Sequence, residues 1–180
     1  MHSPNNLLIL GAGQYGVMAA EIAEAMGAFD RIAFLDDSFA TRHPERSEGS
    51  SKVSLIGSIA DLPNFAAQFN FGFVAIGNPA LRRKLTERLQ QNNFALATLV
   101  HPTAYVSPSA LLEPGCCVEP NATVQTAAVV KQASFIASGA VIRHNATVGE
   151  FCHVDCNAVV NTLAVVPAGT HILVQETYRA

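Results

Sequence analysis

The sequence has little charge, and no excess of the basic sign. Asp, Glu, Lys and Arg make up 14% of its 180 residues, and the formal net charge is −3. A nucleic-acid partner needs a basic footprint, and none is present. There is also no apolar run near the roughly 20 residues of a membrane-spanning helix, so no membrane partner is expected. Residues 1–6 are polar and uncharged and lack the basic-then-apolar order of a secretory leader. A cytoplasmic location is therefore expected. Cysteine is scarce, with four residues and no metal-ligand spacing among them. What the chain has in quantity is hydrophobic residues, 49% of the total, enough for a substantial core.

Those residues are ordered. Counting from Val100, every sixth residue is branched: Val100, Val106, Leu112, Val118, Val124, Val130, Ile136, Ile142, Val148, Val154, Val160 and Val166. The fifth residue of the same hexads is always small: Ala104, Ala110, Cys116, Ala122, Ala128, Ser134, Ala140, Ala146, Cys152, Ala158, Ala164 and Thr170. A helix has no use for a period of six, and an amphipathic strand wants two. A strict six with one branched and one small inward residue predicts a hexapeptide β-helix, three short strands to a triangular coil of 18 residues. Cys116 and Cys152 lie two coils apart in this count. Strands stacked roughly 4.8 Å apart would separate them by about 10 Å, beyond disulfide reach.

Residues 1–99 follow another grammar. Leu7–Leu10, Arg31–Leu35, Phe71–Ile76 and Ala95–Leu99 read as strands, Val17–Met26 and Leu81–Gln91 as helices. Strands alternating with helices predict a Rossmann-like parallel α/β sheet. The chain thus reads as residues 1–99, a nucleotide-binding domain, and residues 100–180, the solenoid. Ala40–Lys52, polar and without periodicity, reads as a mobile insertion.

Two constellations carry chemistry. Gly11-x-Gly13-x-x-Gly16 follows a strand and opens a helix, the context of a phosphate-binding turn. Asp36 follows at a strand end, where an acid can bind a ribose hydroxyl. This pattern suits NAD, a flavin nucleotide or a nucleotide sugar. A dehydrogenase is disfavoured, because a solenoid is no hydride-acceptor domain. On the solenoid, His144 takes the third position of its hexad and points outward, over Thr126 and under Thr162 of the neighbouring coils. His153, nine residues on, shares a column with Phe135 and His171. One chain cannot easily bring His144 and His153 together, whereas two neighbouring chains of a trimer could. No metal site is expected, because the column of His153 and His171 holds no carboxylate.

Gly11-Ala-Gly13-x-x-Gly16, Phe34-Leu-Asp-Asp37, Ala75-Ile-Gly-Asn78 with Arg82, His101-Pro-x-Ala104, Ser107-Pro-Ser-Ala110 and Ile142-Arg-His144 followed by Val148-Gly-Glu-Phe-Cys-His153 occur together. In this the chain resembles the sugar O/N-acyltransferases that N-acetylate nucleotide-linked 4-amino-4,6-dideoxy sugars of the bacillosamine and perosamine type, with sialic acid O-acetyltransferases as relatives. The resemblance implies a left-handed, homotrimeric β-helix and an acetyl-CoA-dependent N-acetyltransferase, with acetyl-CoA as co-substrate between subunits. It implies His144 as general base beside Asn145, and His153 and Thr162 at the acetyl group or amine. It implies a nucleotide-sugar site from Gly11, Gly13, Gln14, Tyr15, Gly16, Asp36, Asp37, Asn78 and Arg82. The chain departs from the family at Tyr15, usually His, at Asn145, usually Asp or Glu, and at Thr162, usually Gly. Its hexads also stop at His171 where the family continues, with Glu176 at a small position. The alternatives are a non-catalytic or weakly active sugar-nucleotide-binding trimer, or O-acyl transfer to a sugar.

Overall fold

The computed structural model describes residues 4–40 and 53–179. The expected insertion Ala40–Lys52 lies, beyond Ala40, outside the described residues. The chain divides into two compact units, Met1–Ala97 and Thr98–Ala180.

The first unit is built on β1 (Asn6–Leu10), β2 (Arg31–Leu35), β3 (Ser54–Gly57), β4 (Phe71–Val74) and β5 (Ala95–Leu96). All pair in parallel, in the order β3-β2-β1-β4-β5. β1 is central, and Leu7, Leu8, Ile9 and Leu10 are all fully buried. A strand covered on both faces reads as a continuous apolar run, not as an alternation. α1 (Gln14–Met26) buries Gly16, Ala19, Ala20, Ile22 and Ala23 and stops at Gly27, whose left-handed backbone (φ 61°) lets its N–H close on Glu24 O. α2 (Pro79–Gln91) starts from Asn78, whose side chain accepts the Leu81 N–H, with Pro79 in the first turn. Its buried residues, Arg82, Leu85, Thr86 and Leu89, are spaced as one helical face.

Two features differ from the sequence reading. β3 and the 3₁₀ turn Ile59–Phe65 are additional elements. The run Ala95–Leu99 is not one strand. Ala95 and Leu96 complete the first sheet beside β4, whereas Leu99 pairs with Cys117 in the solenoid.

The second unit is the left-handed parallel β-helix. Its two-residue strands occupy the sixth and first positions of each hexad and stack in three parallel sheets of five, four and five strands. Tyr105 pairs with Thr123, Thr123 with Val141, Val141 with Val159 and Val159 with Thr177, so the register advances 18 residues per coil. The fourth position makes the corner. Asn121, Ala127, Ala133, Asn145, Phe151, Asn157, Leu163 and Gln175 all adopt positive φ there, between 53° and 62°. The branched and small positions from Cys116 to Ala164 form one core, nearly all with no exposed surface. Each such branched side chain contributes about 1.5–3 kcal/mol. Ser134 is the polar member, and it is satisfied: its Oγ donates to Gly149 O at 2.6 Å and accepts the Cys152 N–H at 2.9 Å. The coil also runs past His171. Ile172 is buried, and Thr177–Tyr178 still pairs with Val159–Val160. Glu176 is tolerated at its small position because it is exposed and accepts the Leu173 N–H at 2.9 Å.

Candidate active site

In the first unit the chain leaves β1 toward β2 on one side, while β4 lies on the other. Crevices at such a switch point, beyond the carboxyl ends of the strands, are where open α/β sheets bind ligands. The turn 11–16 sits at that end of β1. Its Gly11 N–H donates to Leu35 O at 2.8 Å. A Cβ on Gly16 would lie 2.1 Å from Gly11 O, so only glycine lets α1 approach the strand this closely. Gly13, by contrast, would meet nothing within 4 Å. Gly13 is the N-cap of α1, no side chain caps it, and the first turn holds no acid. The positive end of the helix dipole thus has no acidic side chain of its own first turn beside it.

One acid lashes this turn in place. Asp36 accepts the Ala12 N–H at 2.8 Å through one carboxylate oxygen, and the Ser38 N–H, at 2.8 Å, and hydroxyl through the other. Asp36 Oδ1 thereby fills both of its acceptor sites. Asp37 accepts the Ile59 N–H at 3.1 Å. Across the crevice, the ring of Tyr15 lies against Gly77, 3.5 Å from where a Cβ there would stand. Arg82 is fully buried and donates to Ile76 O at 2.8 Å and Gly77 O at 3.0 Å. It shapes the loop after β4 from beneath. Gly13, Gln14, Asp37 and Asn78 are exposed and Tyr15 half-buried, whereas Gly11, Gly16 and Arg82 lie below the surface.

In the second unit, Tyr105, Gln125, Thr126, His144 and Asn145 line an open depression of about 410 Å³. The stacking of coils places them. Thr126, His144 and Thr162 are 18 residues apart and fall in one column. His144 is held at both ring nitrogens: Nδ1 lies 3.1 Å from Asn145 Nδ2 and Nε2 3.2 Å from Thr162 Oγ1. Its backbone N–H donates to Gln125 Oε1 at 3.1 Å. Beside it, Arg143 donates to Asn161 Oδ1 at 2.9 Å. Tyr105, Gln125 and Asn161 were not singled out from the sequence. The signal that finds them is the 18-residue column count applied to the neighbours of His144.

His153 is not part of that lining. It is 6% exposed, edge-on to Phe135 with centroids 6.0 Å apart and stacked on His171 at 4.8 Å. Counting columns omitted Asp155. Asp155 follows directly after the strand His153–Val154, and its Oδ2 is 3.3 Å from His171 Nε2. Burial works against its ionisation. The Cys156 N–H and the two histidines outweigh this and hold its carboxyl below the usual value.

Comparison with known proteins places this arrangement. Residues 6–89 match the PglD N-terminal domain. The UDP-N-acetylbacillosamine N-acetyltransferase of Bacillus subtilis (strain 168) is 32% identical over 104 residues, 57% of this chain and 45% of that protein. The match thus spans less than half of that curated relative. The acetyltransferase domain of PglB from Neisseria gonorrhoeae FA1090 superposes with a TM-score of 0.82 at 29% identity, over 98% of this chain and 92% of that one. Its complex with acetyl coenzyme A gives 0.63 at 30% identity, over 94% and 96%. PerB from Caulobacter crescentus, solved with CoA and GDP-perosamine, shares the fold at a TM-score of 0.71 and 22% identity, over 98% and 93%. The chain belongs with the sugar O/N-acyltransferases, a PglD N-terminal domain joined to a hexapeptide-repeat β-helix.

Proposed function

We propose that this chain is an acetyl-CoA-dependent N-acetyltransferase acting on a nucleotide-linked amino sugar. The observation that carries the reading is His144, gripped at both ring nitrogens beside an open depression. It sits on a β-helix whose relative at 30% identity is solved with acetyl coenzyme A. The sugar amine attacks the thioester carbonyl and His144 takes the proton that the nitrogen sheds. The tetrahedral intermediate then collapses to the amide, and the CoA thiolate leaves with a proton. An imidazole suits this exchange near neutral pH.

Asn145 decides which ring nitrogen is available. With Nδ2 turned to the imidazole, Nδ1 accepts and Nε2 carries the hydrogen toward Thr162. With the amide turned over, Oδ1 accepts from Nδ1–H and Nε2 presents its lone pair. An amide serves both tautomers, whereas a carboxylate, which only accepts, fixes the second. The base is therefore Nε2 in the turned-over state, with the Thr162 hydroxyl donating to it until substrate arrives.

The nucleotide sugar is assigned to the first unit. The diphosphate goes to the Gly13 end of α1, with Gln14, Tyr15 and Asn78 on the sugar side and Asp36 and Asp37 toward the nucleoside. Gly11, Gly16 and Arg82 shape the backbone that makes this seat. His153 is assigned to the acetyl group or amine. Because it stands half a coil from His144, a homotrimer with shared sites goes with this reading. The test is turnover of acetyl-CoA with amino-sugar nucleotides. His144→Ala should lower kcat by roughly 10²–10⁴-fold, the usual worth of a positioned base, with little change in substrate binding. Wild-type turnover in that variant overturns the base assignment. Sedimentation as a monomer at micromolar concentration overturns the shared site.

A further inference from the structure

We propose that Gln125 is a sugar-specificity residue: one half of its amide holds the base in place, and the other half donates to a ring hydroxyl of the amino sugar. The inference deepens the acyl-transfer reading and rests on it. It starts from a repeated contact. In three successive hexads the second residue reaches into the next coil and accepts a backbone N–H from the third residue of a hexad there. Glu113 Oε2 takes the Gln132 N–H at 2.9 Å, Glu119 Oε2 the Ser138 N–H at 2.9 Å, and Gln125 Oε1 the His144 N–H at 3.1 Å. A backbone N–H only donates, so the slot requires an acceptor oxygen and nothing more. A carboxylate fills it twice. The amide stands under the residue assigned as base.

An amide differs from a carboxylate in its second half. With Oε1 turned to the His144 N–H, Nε2 carries two hydrogens, and no group among the described residues accepts them. The half-buried side chain lines the depression beside His144, which leaves these hydrogens to a ligand there. The rest of the lining says what that ligand is. Tyr105, Thr126, His144 and Asn145 complete it. They bring an aromatic ring, a hydroxyl, an imidazole and a second amide, with no carboxylate, lysine or arginine among them. A diphosphate meets no cation here. A pyranose fits, because its hydroxyls pair with amides and its C–H face lies on an aromatic ring, and the Tyr105 ring is 58% exposed. An amino sugar whose amine reaches His144 has its ring against this lining.

Two variants separate the halves of the amide. Gln125→Glu keeps the acceptor, as Glu113 and Glu119 do, and removes the donor. Gln125→Met removes both and adds no charge. Tm, kcat and both KM values are measured with acetyl-CoA and UDP- and GDP-linked amino sugars, and sugar-nucleotide Kd by calorimetry. Gln125→Glu should melt with the wild type. In both variants KM and Kd for the sugar nucleotide should rise about tenfold or more, while KM for acetyl-CoA stays within about twofold. Sugar nucleotides lacking one ring hydroxyl at a time identify the partner: for one of them the wild type and Gln125→Met should bind equally. Wild-type sugar-nucleotide affinity in Gln125→Glu overturns the proposal and leaves the acyl-transfer reading standing, because the residue is then a latch alone. A rise confined to the acetyl-CoA KM also overturns it, because the donor would then serve the acyl group. Wild-type protein that neither binds nor acetylates an amino-sugar nucleotide overturns the reading and the proposal together.

Discussion

Gly13 and Gly16, three residues apart, can be told apart in function by one methyl group each. Gly16→Ala places a Cβ 2.1 Å from Gly11 O and 2.9 Å from Gly11 C. Both are backbone atoms and cannot swing aside, so α1 itself must move. Overpacking costs roughly 1–3 kcal/mol and sometimes more, and the rigid neighbour puts this case at about 3 kcal/mol or above. For a unit of this size 1 kcal/mol moves Tm by roughly 4–8 °C, so a loss of about 12–24 °C is expected. Gly13→Ala meets nothing within 4 Å, and its backbone (φ −76°, ψ −164°) suits any residue. Alanine is a poorer N-cap by about 1 kcal/mol, offset by roughly 0.4–1 kcal/mol from a less flexible unfolded chain. Stability should therefore change by less than about 1 kcal/mol. Its methyl, however, stands where the diphosphate is assigned, and affinity for a nucleotide sugar should fall at least about tenfold, or 1.4 kcal/mol. Calorimetry reads both quantities, as thermal scans and as titrations with UDP- and GDP-linked amino sugars. Undiminished sugar-nucleotide affinity in Gly13→Ala would refute the phosphate seat. A Gly16→Ala protein as stable as wild type would refute the packing argument.

Three further outcomes follow from particular side chains. Asn145→Asp puts an acceptor-only anion on His144 Nδ1, fixing the reactive tautomer and favouring the imidazolium. The acidic limb of the pH–rate profile should move to higher pH, and a shift to lower pH contradicts the pairing. Glu119 is 4% exposed, and burial raises its pKa despite hydrogen bonds from Ser138. The folded state then holds the proton more tightly than the unfolded one, so stability is lost as pH rises through the window between the two pKa values. Glu119→Gln should raise Tm at neutral pH, with the gain vanishing below about pH 4, where both states are protonated. A gain that is constant with pH rules out this cause. Of the four thiols, Cys116, pushed up to about 12 by burial, and Cys117, pushed higher still, should resist a disulfide reagent in the native protein, as should buried Cys152. At most Cys156 should react before unfolding, and rapid reaction of two or more would show that the core opens.

The solenoid is legible in the sequence because each hexad position has one environment repeated a dozen times, so size and branching are dictated directly. The glycine turn is legible for a related reason: close backbone approach admits one residue type. Side-chain partnerships are less so. Asp36 reads as a ribose ligand, but it also anchors Ala12 and Ser38, bonds that depend on where β2 ends relative to β1. The resemblance implies Arg82 as a nucleotide-sugar contact, yet the face of α2 that carries Leu85 and Leu89 also buries it, so it braces the loop. Asp155 escapes a count along one column because the contact runs across columns, from one coil to the next. β3 is only four residues long and lies at the edge of the sheet, where neither periodicity nor burial marks it strongly.

The central claim is acetyl transfer to an amino sugar carried on a nucleotide, and product analysis tests it most directly. UDP- and GDP-linked 4-amino-4,6-dideoxy sugars are incubated with acetyl-CoA and the purified chain, and the nucleotide fraction is resolved by mass spectrometry. The account predicts one added acetyl group on an amino-sugar nucleotide, matched by release of free CoA. It also predicts no such product from the corresponding hydroxyl sugar, and loss of the product with His144→Ala. Acetylation of the hydroxyl sugar instead, or an unchanged sugar pool together with no binding of acetyl-CoA, would contradict it.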